Sequence, residues 1–424
     1  MKQTKLLLLF LALAVLLCAC AAPQSAQTAA QSQTRSDSAD AAVVALSQSA
    51  EDSEVQSAED SDEVFSDRDL SGEYDDRVVT VTLTGDSASA DADGVEISGS
   101  TVTVTAAGTY ILSGELKGSV IVNASKDDKV KLVLDGAVIQ SESFAAIYVA
   151  QADKVFITLA EGSENTLSNG GSFTQIDENN VDAAVFSKDD LTFNGTGKLT
   201  VSSPGGHGIV CKDELVFTDG VYEISAGRHA VSAKDSISIA GGDYTLAAYG
   251  DGLHAENDDD ETLGGIYISG GAFRIGAADD GIHAVTTVQI DGGSFEITAA
   301  EGIEGTCIRI NDGEISIEAT DDGVNAAYKS SAYTPTFEMN GGSLTVVMGA
   351  GDTDGVDSNG NIVINGGTVD ITASSSFDCD GSAQLNGGTV IVNGQQVDAI
   401  PNQMMGGGKG GMQGGMGGRH GGWS

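Results

Sequence analysis

The sequence predicts an all-β solenoid, and three observations predict it. The segment Asp251-Gly252-Leu253-His254-Ala255 returns as Asp280-Gly281-Ile282-His283-Ala284, Glu301-Gly302-Ile303-Glu304-Gly305, Asp322-Gly323-Val324-Asn325-Ala326 and Asp354-Gly355-Val356-Asp357-Ser358, at Gly-to-Gly intervals of 29, 21, 21 and 32 residues. Units this short cannot bury an apolar face alone, so they must stack on one another. Between and before them β-branched residues alternate with polar ones in period two, and no amphipathic helix is found between 73 and 400, which excludes a βαβ fold. With 57 Gly and only 4 Pro in 424 residues, the composition suits tight turns between strands.

In chain order, Met1-Lys2-Gln3-Thr4-Lys5 and the apolar run Leu6 to Leu17 read as a secretory signal, too short for a membrane span. Leu17-Cys18-Ala19-Cys20 resembles a bacterial lipoprotein box, which makes Cys20 the lipidated first residue of the mature protein and places it on the extracellular face of the cell membrane. The alternative is a plain signal peptide cut near Ala21-Ala22. Residues 21–72 are Ala/Ser/Gln-rich and then acidic, the composition of a disordered tether. The β domain is expected over 73–400, starting with close-set strands such as Val79 to Leu83, Thr101 to Thr105 and Val120 to Val122. Further on, each unit reads as two strands with two turns: one strand on the Gly-Ile-His-Ala segment, then Val288-Gln289-Ile290, a turn at Asp291-Gly292-Gly293, and Ser294 to Thr298. Equivalent strands then pair in parallel from coil to coil, and the handedness of parallel crossovers makes the product a right-handed parallel β-helix of about ten rungs. Residues 401–424 are a low-complexity Gly/Met tail, expected to be disordered.

Alternation assigns faces. Leu253, Ile282, Ile303, Val324 and Val356 form an inward aliphatic column, and Cys211, Ala233, Ala255, Ala284, Gly305, Ala326 and Ser358 an inward column of small residues. Cys211 is therefore expected to be a small buried residue, not a nucleophile. Two outer columns turn acidic toward the C-terminus. One runs Tyr148, Phe186, Val210, Ser232, His254, His283, Glu304, Asn325, Asp357; the other, before the repeat Gly, runs Ala145, Ala183, His207, His229, Asp251, Asp280, Glu301, Asp322, Asp354.

Carboxylates one rung apart stand about 4.8 Å from each other, and each pair repels by roughly 1 kcal/mol in water and more where desolvated. A hard cation relieves this, and Ca2+, with oxygen ligands at about 2.3–2.6 Å, fits between two such groups. The expected ligand set is Asp251, Asp279, Asp280, Glu301, Glu304, Asp321, Asp322, Asp352, Asp354, Asp357, Asp378 and Asp380, with His254, His283 and Asn325 as substrate contacts. A solvated acidic face is the plainer alternative, zinc on two histidines and an aspartate a further one. The run Asn257 to Glu261 reads as a solvated turn. A formal charge of -42 argues against nucleic acid or an anionic membrane surface as partner, and the single Trp, in the tail, rules out a row of Trp platforms.

Gly108-Thr109-Tyr110-Ile111-Leu112-Ser113-Gly114, Leu132-Val133-Leu134-Asp135-Gly136, Ala145 to Val149, Leu159 to Leu167, Leu191 to Leu199 and the Asp-Asp-Gly-Ile-His-Ala unit at 279–284 carry a resemblance, over about 75–395, to bacterial cell-surface carbohydrate-binding domain-containing proteins. The resemblance implies a calcium-binding β-helix that binds polygalacturonate-like or cellulose-like polysaccharide without cleaving it. Calcium shared between protein and sugar carboxylates reconciles an acidic protein with an acidic polymer. Two other readings stand beside it. A calcium-dependent lyase of the pectate type needs a base, for which Arg274, Arg309 and Lys329 are available; a surface adhesion protein needs no glycan at all.

Overall fold

The computed structural model describes residues 64–74, 78–350 and 353–401, all within the unit Ser53–Ser424. The signal segment with Cys20, the tether up to residue 63, Asp352 and all of the tail except Pro401 lie outside the described residues.

The described chain is all-β apart from the four-residue helix Asp67–Leu70 and is built from mostly parallel strands stacked coil upon coil, the arrangement of a β-solenoid. Three parallel ladders run through it. The first begins at Thr101–Val104 and passes through His207–Cys211 and Leu253–Ala255 to Ser375–Cys379. The second passes from Lys154–Leu159 through Glu214–Phe217 to Ala383–Leu385, and the third from Glu164–Asn169 through Val221–Ala226 to Thr389–Val392. A unit therefore contributes three strand segments, not the two expected. In the strand Asp280–Ile290 the first two are continuous, joined where the register shifts between Ala284 and Thr287, so the text shows no break between them. The third follows the Gly turn, and Gly242, Gly271, Gly293 and Gly313 at these turns have φ of 102–113°, a conformation closed to residues with a Cβ. Antiparallel hairpins lie at the two ends of the stack, Val95–Ser98 on Thr101–Val104 and Thr389–Val392 on Gln395–Val397, where they occupy edges that would otherwise template another chain.

The inward columns are as expected. Leu253 pairs with Ile282, Ile282 with Ile303, Ile303 with Val324 and Val324 with Val356, and all five are fully buried. The third ladder adds an aromatic stack, Tyr222–Tyr244–Phe273–Phe295, with centroids 5.0, 4.7 and 4.6 Å apart and rings nearly parallel; each such pair contributes roughly 0.5–1.5 kcal/mol beyond burial. Cys211 and Cys379 sit in the small-residue column as buried thiols. Burial pushes the Cys211 thiol well above its ordinary pKa, which leaves it inert.

The repeat glycine has a packing cause. A Cβ on Gly252, Gly281, Gly302 or Gly323 would lie 2.4–2.5 Å from a side-chain methyl of Ile275, Ile297, Ile317 or Val346 and 2.4–2.6 Å from the carbonyl oxygen of the equivalent glycine one coil on. The glycine faces the core, and so does the aliphatic residue after it, so alternation fails at this one step.

Two outer faces are covered. Tyr148, Phe186 and Val210 do point outward, but Phe144 and Val181 from flanking loops pack over them into a satellite cluster. Residues 64–72, expected to belong to a disordered tether, instead lie on the second ladder: Asp69 accepts from Lys154 at 2.8 Å and Thr192 at 2.6 Å, Arg68 sits over the Phe156 ring, and Phe65 approaches Tyr267. Residues 64–72 therefore belong with the solenoid and not with the tether expected over 21–72.

Candidate functional site

Because the glycine and its successor both face inward, the residues on either side of that pair face outward together. Strict alternation would put Asp280 and His283, three apart, on opposite faces; instead His283 Nδ1 meets Asp280 Oδ2 at 2.7 Å, and His254 Nδ1 meets Asp251 Oδ2 at 2.6 Å. The two outer columns expected from the sequence are thus one site on the outside of the first ladder.

Along that ladder the site changes character. At one end, four imidazoles form a continuous stack, His207–His229–His254–His283, with centroids 4.9, 4.1 and 4.9 Å apart. Asp251, 2 % exposed, runs beside it: its Oδ1 accepts the Asp280 amide at 3.0 Å, and its Oδ2 is 3.0 Å from His229 Nδ1. That nitrogen also lies 3.0 Å from the Asp251 amide, and one nitrogen cannot accept from the amide and donate to the carboxylate at once. The cluster His229–Asp251–His254 converges closely enough for a metal. The near-parallel stacking, however, puts an ion shared by both rings out of the plane of each, where the nitrogen lone pair does not point. Zinc on two stacked histidines does not fit this arrangement.

Next comes the acidic centre. Asp280, Glu301 and Glu304 present carboxylate oxygens all within 4.8 Å of one another. His283 Nδ1 reaches Glu304 Oε2 at 2.8 Å, and Lys329 Nζ reaches Glu304 Oε1 at 2.7 Å from the following loop. Asn325 donates to Glu301 Oε2 at 3.0 Å and to Glu304 Oε1 at 3.4 Å, while its own carbonyl oxygen is buried with no hydrogen-bond partner. Beyond lie Asp322, whose Oδ1 accepts the Asp354 amide at 3.1 Å, and Asp357, paired in register with Asp378.

The electrostatics follow from burying acids with too few cations. Burial and the Glu304 charge push Glu301 up to about 8 despite the Asn325 hydrogen bond. Burial pushes Asp280 up to about 6, against the His283 bond and with the charges of Asp251 and Glu304. Burial and the neighbouring acids push Asp322 to about 6 and Asp357 to about 7. Where a cation is at hand the direction reverses. Burial would raise Glu304, but bonds from His283 and Lys329 hold it below its ordinary range; burial would lower His283, but Asp280 and Glu304 carry it up to about 10. Asp251, flanked by His229 and His254, is likewise held low in spite of burial.

Of the expected ligands, Asp251, Asp280, Glu301 and Glu304 fall in converging clusters, and Asp322, Asp354, Asp357 and Asp378 continue the column. Asp279, Asp321 and Asp380 are exposed beside it and join no such cluster. Asp352 lies outside the described residues. The expected substrate contacts His254, His283 and Asn325 are all in the site, but as partners of its acids. The turn after Ala255 is partly built in: Asn257 is buried and caps the amides of Asp259 and Asp260. Arg274 and Arg309 pair with Glu296 and Glu338 on the third and second ladders, away from the acids. A concavity of about 700 Å³ lies on the outside of the third ladder around Thr245, Arg274, Glu296 and Ser316. Among the described residues, the converging metal-ligating groups lie not there but on the first ladder.

The three converging carboxylates form an all-oxygen donor set of the kind that suits hard cations. Asp280, Glu301 and Glu304 are the residues that would hold such a cation.

The comparisons agree with a glycan role. The solved polysaccharide lyase-like protein from C. thermocellum, a gadolinium derivative, is 31% identical and superposes with a TM-score of 0.51 over 56% of this chain and 96% of its own. A carbohydrate-binding domain-containing protein of Acetivibrio thermocellus is 34% identical over 150 residues, 34% of this chain and 52% of the relative, so the match spans about half the relative's length. The pattern that defines carbohydrate-binding domain-containing proteins matches residues 98–352 and 304–399, nearly the whole solenoid, and the chain belongs to that family.

Proposed function

We propose that this protein is a lipid-anchored cell-surface module that binds uronate-rich polysaccharide through calcium held on the acidic column, without cleaving it. The observation that carries the reading is the convergence of Asp280, Glu301 and Glu304, with carboxylate oxygens all within 4.8 Å of one another. A divalent ion there lowers the mutual repulsion of the acids and leaves coordination positions for the carboxylates of a polymer, so that protein and ligand, both anionic, share one counter-ion. The anchor rests on Cys20 and its preceding box.

Binding without cleavage rests on Lys329. Its ammonium is held on Glu304 at 2.7 Å, and the other candidate bases, Arg274 and Arg309, pair with Glu296 and Glu338 on other ladders. The test is retention of the protein on polygalacturonate with and without chelator, beside Glu304→Gln. Wild type is retained in calcium and released by chelator, and the variant needs at least about tenfold more calcium. Retention that ignores chelator overturns the calcium reading, and ultraviolet absorbance of an unsaturated uronide overturns the non-cleaving one.

A further inference from the structure

Most aromatic side chains of the described residues are inside the solenoid or under its loops, and three tyrosines are exceptions: Tyr249, 81% exposed, Tyr328, 69%, and Tyr74, 44%. Single exposed apolar side chains are ordinary on a protein surface. What sets Tyr249 and Tyr328 apart is where the chain holds them. Tyr249 is two residues before Asp251, so its backbone lies within about 7 Å of that column residue. Tyr328 is three residues after Asn325, within about 11 Å, and is followed directly by Lys329, whose ammonium sits on Glu304.

Tyr249 precedes its first-ladder strand, Leu253–Ala255, and Tyr328 follows its own, Val324–Ala326. The strands are parallel, so the two rings stand at opposite edges of the ladder. Leu253, Ile282, Ile303 and Val324 are successive partners, which puts the two rings three coils, about 14 Å, apart along the stack. A line from one to the other crosses the ladder obliquely over Asp280, Glu301 and Glu304. A ring that is open to solvent presents an apolar face with a polar tip, the surface on which the C–H face of a pyranose packs. Such stacking is tolerant of sequence along a polymer, as it is for other chains of flat rings.

We infer that Tyr249 and Tyr328 are the sugar-stacking residues of the site and that a linear uronate polymer lies obliquely across the first ladder, its rings on the two tyrosines and its carboxylates toward the acidic centre between them. This rests on the glycan reading above and adds the direction of the chain and the residues that grip it. Stacking explains how a surface with no Trp among the described residues holds a sugar ring.

The test uses the full chain in calcium, with polygalacturonate and cellulose as probes and calcium titrated separately without polymer. Tyr249→Ala and Tyr328→Ala each weaken polygalacturonate binding about tenfold, the double variant loses more, and Tyr→Phe at either site restores it, because the ring and not the hydroxyl does the packing. Calcium binding and the melting temperature stay at wild-type values, since both side chains are exposed. Wild-type affinity for polygalacturonate in both alanine variants, with calcium dependence intact, overturns the inference and leaves the calcium reading standing. If wild type instead binds cellulose alone and the alanine variants lose it, the tyrosines stand and the uronate reading falls. Retention on neither polymer overturns both.

Discussion

Asp251 joins the histidine stack to the acidic centre. Its two oxygens take up the Asp280 amide and the ring nitrogen of His254, so Asp251→Ala leaves a buried amide and a part-buried imidazole without their acceptor. The expected cost is about 1–3 kcal/mol, read as a lower urea midpoint in calcium-free buffer; an unchanged midpoint refutes the role given to this carboxylate. The aliphatic column and the outward residue after each of its members, Glu304 among them, were legible from alternation alone, because Leu253, Ile282 and Ile303 repeat a pattern that only one face can satisfy. The merging of His207 and His229 with His254 and His283 into one stack was not, because it depends on a residue pair, Gly281 and Ile282 in the type unit, that breaks the alternation used to sort the columns. Nor was the Lys329–Glu304 contact, which depends on the course of the loop after Ala326. Only the stacking of coils brings a loop residue back over the preceding strand.

At the scale of the element, the repeat glycine is what lets one coil turn its outer residues to a common side. Gly281→Ala drives a methyl into Ile297 and the Gly302 carbonyl, both fixed by the next coil, and overpacking of this kind costs roughly 1–3 kcal/mol. A thermal melt of Gly281→Ala matching wild type refutes the close approach. The segment 64–74 makes a second case, and its attachment depends on pH. Burial would raise the Asp69 pKa, but hydrogen bonds from Lys154, Ser66 and Thr192 outweigh it and hold the carboxyl below the ordinary 3.8. A carboxylate depressed in the folded state contributes its stabilisation above the unfolded value and loses it as pH falls through the folded one. Asp69→Asn is therefore expected to expose residues 64–74 to limited proteolysis at neutral pH, with variant and wild type converging only below pH 3.8. Equal cleavage of the two at neutral pH counts against the clamp. The clamp was hidden from the sequence, since residues 64–72 have the acidic, polar composition of the stretch before them and are held in place by partners more than 80 positions later.

For the molecule as a whole, a solenoid couples each coil chiefly to its neighbours, so stability is close to a sum of local terms and a ligand acts where it binds. The two ends of this one differ in what holds their outer surfaces. Toward the N-terminus the first ladder is sealed by packing, with Tyr148, Phe186 and Val210 under Phe144 and Val181. Toward the C-terminus the same positions are Glu304, Asn325, Asp357 and Asp378, where the charges of Asp322, Asp354 and Asp378 crowd Asp357 and a cation would relieve them. Calcium at about 100 times its dissociation constant stabilises the states that bind it by about 2.7 kcal/mol, and in a near-additive array that gain stays local. Hydrogen exchange in calcium and in chelator is expected to differ by up to about 100-fold in the amides of residues 280–380 and little in those of 100–200. A chelator effect spread evenly over both halves would mean that the coils unfold as one and that the acids are not a local charge defect; no effect in either half would mean that the column needs no metal to stand.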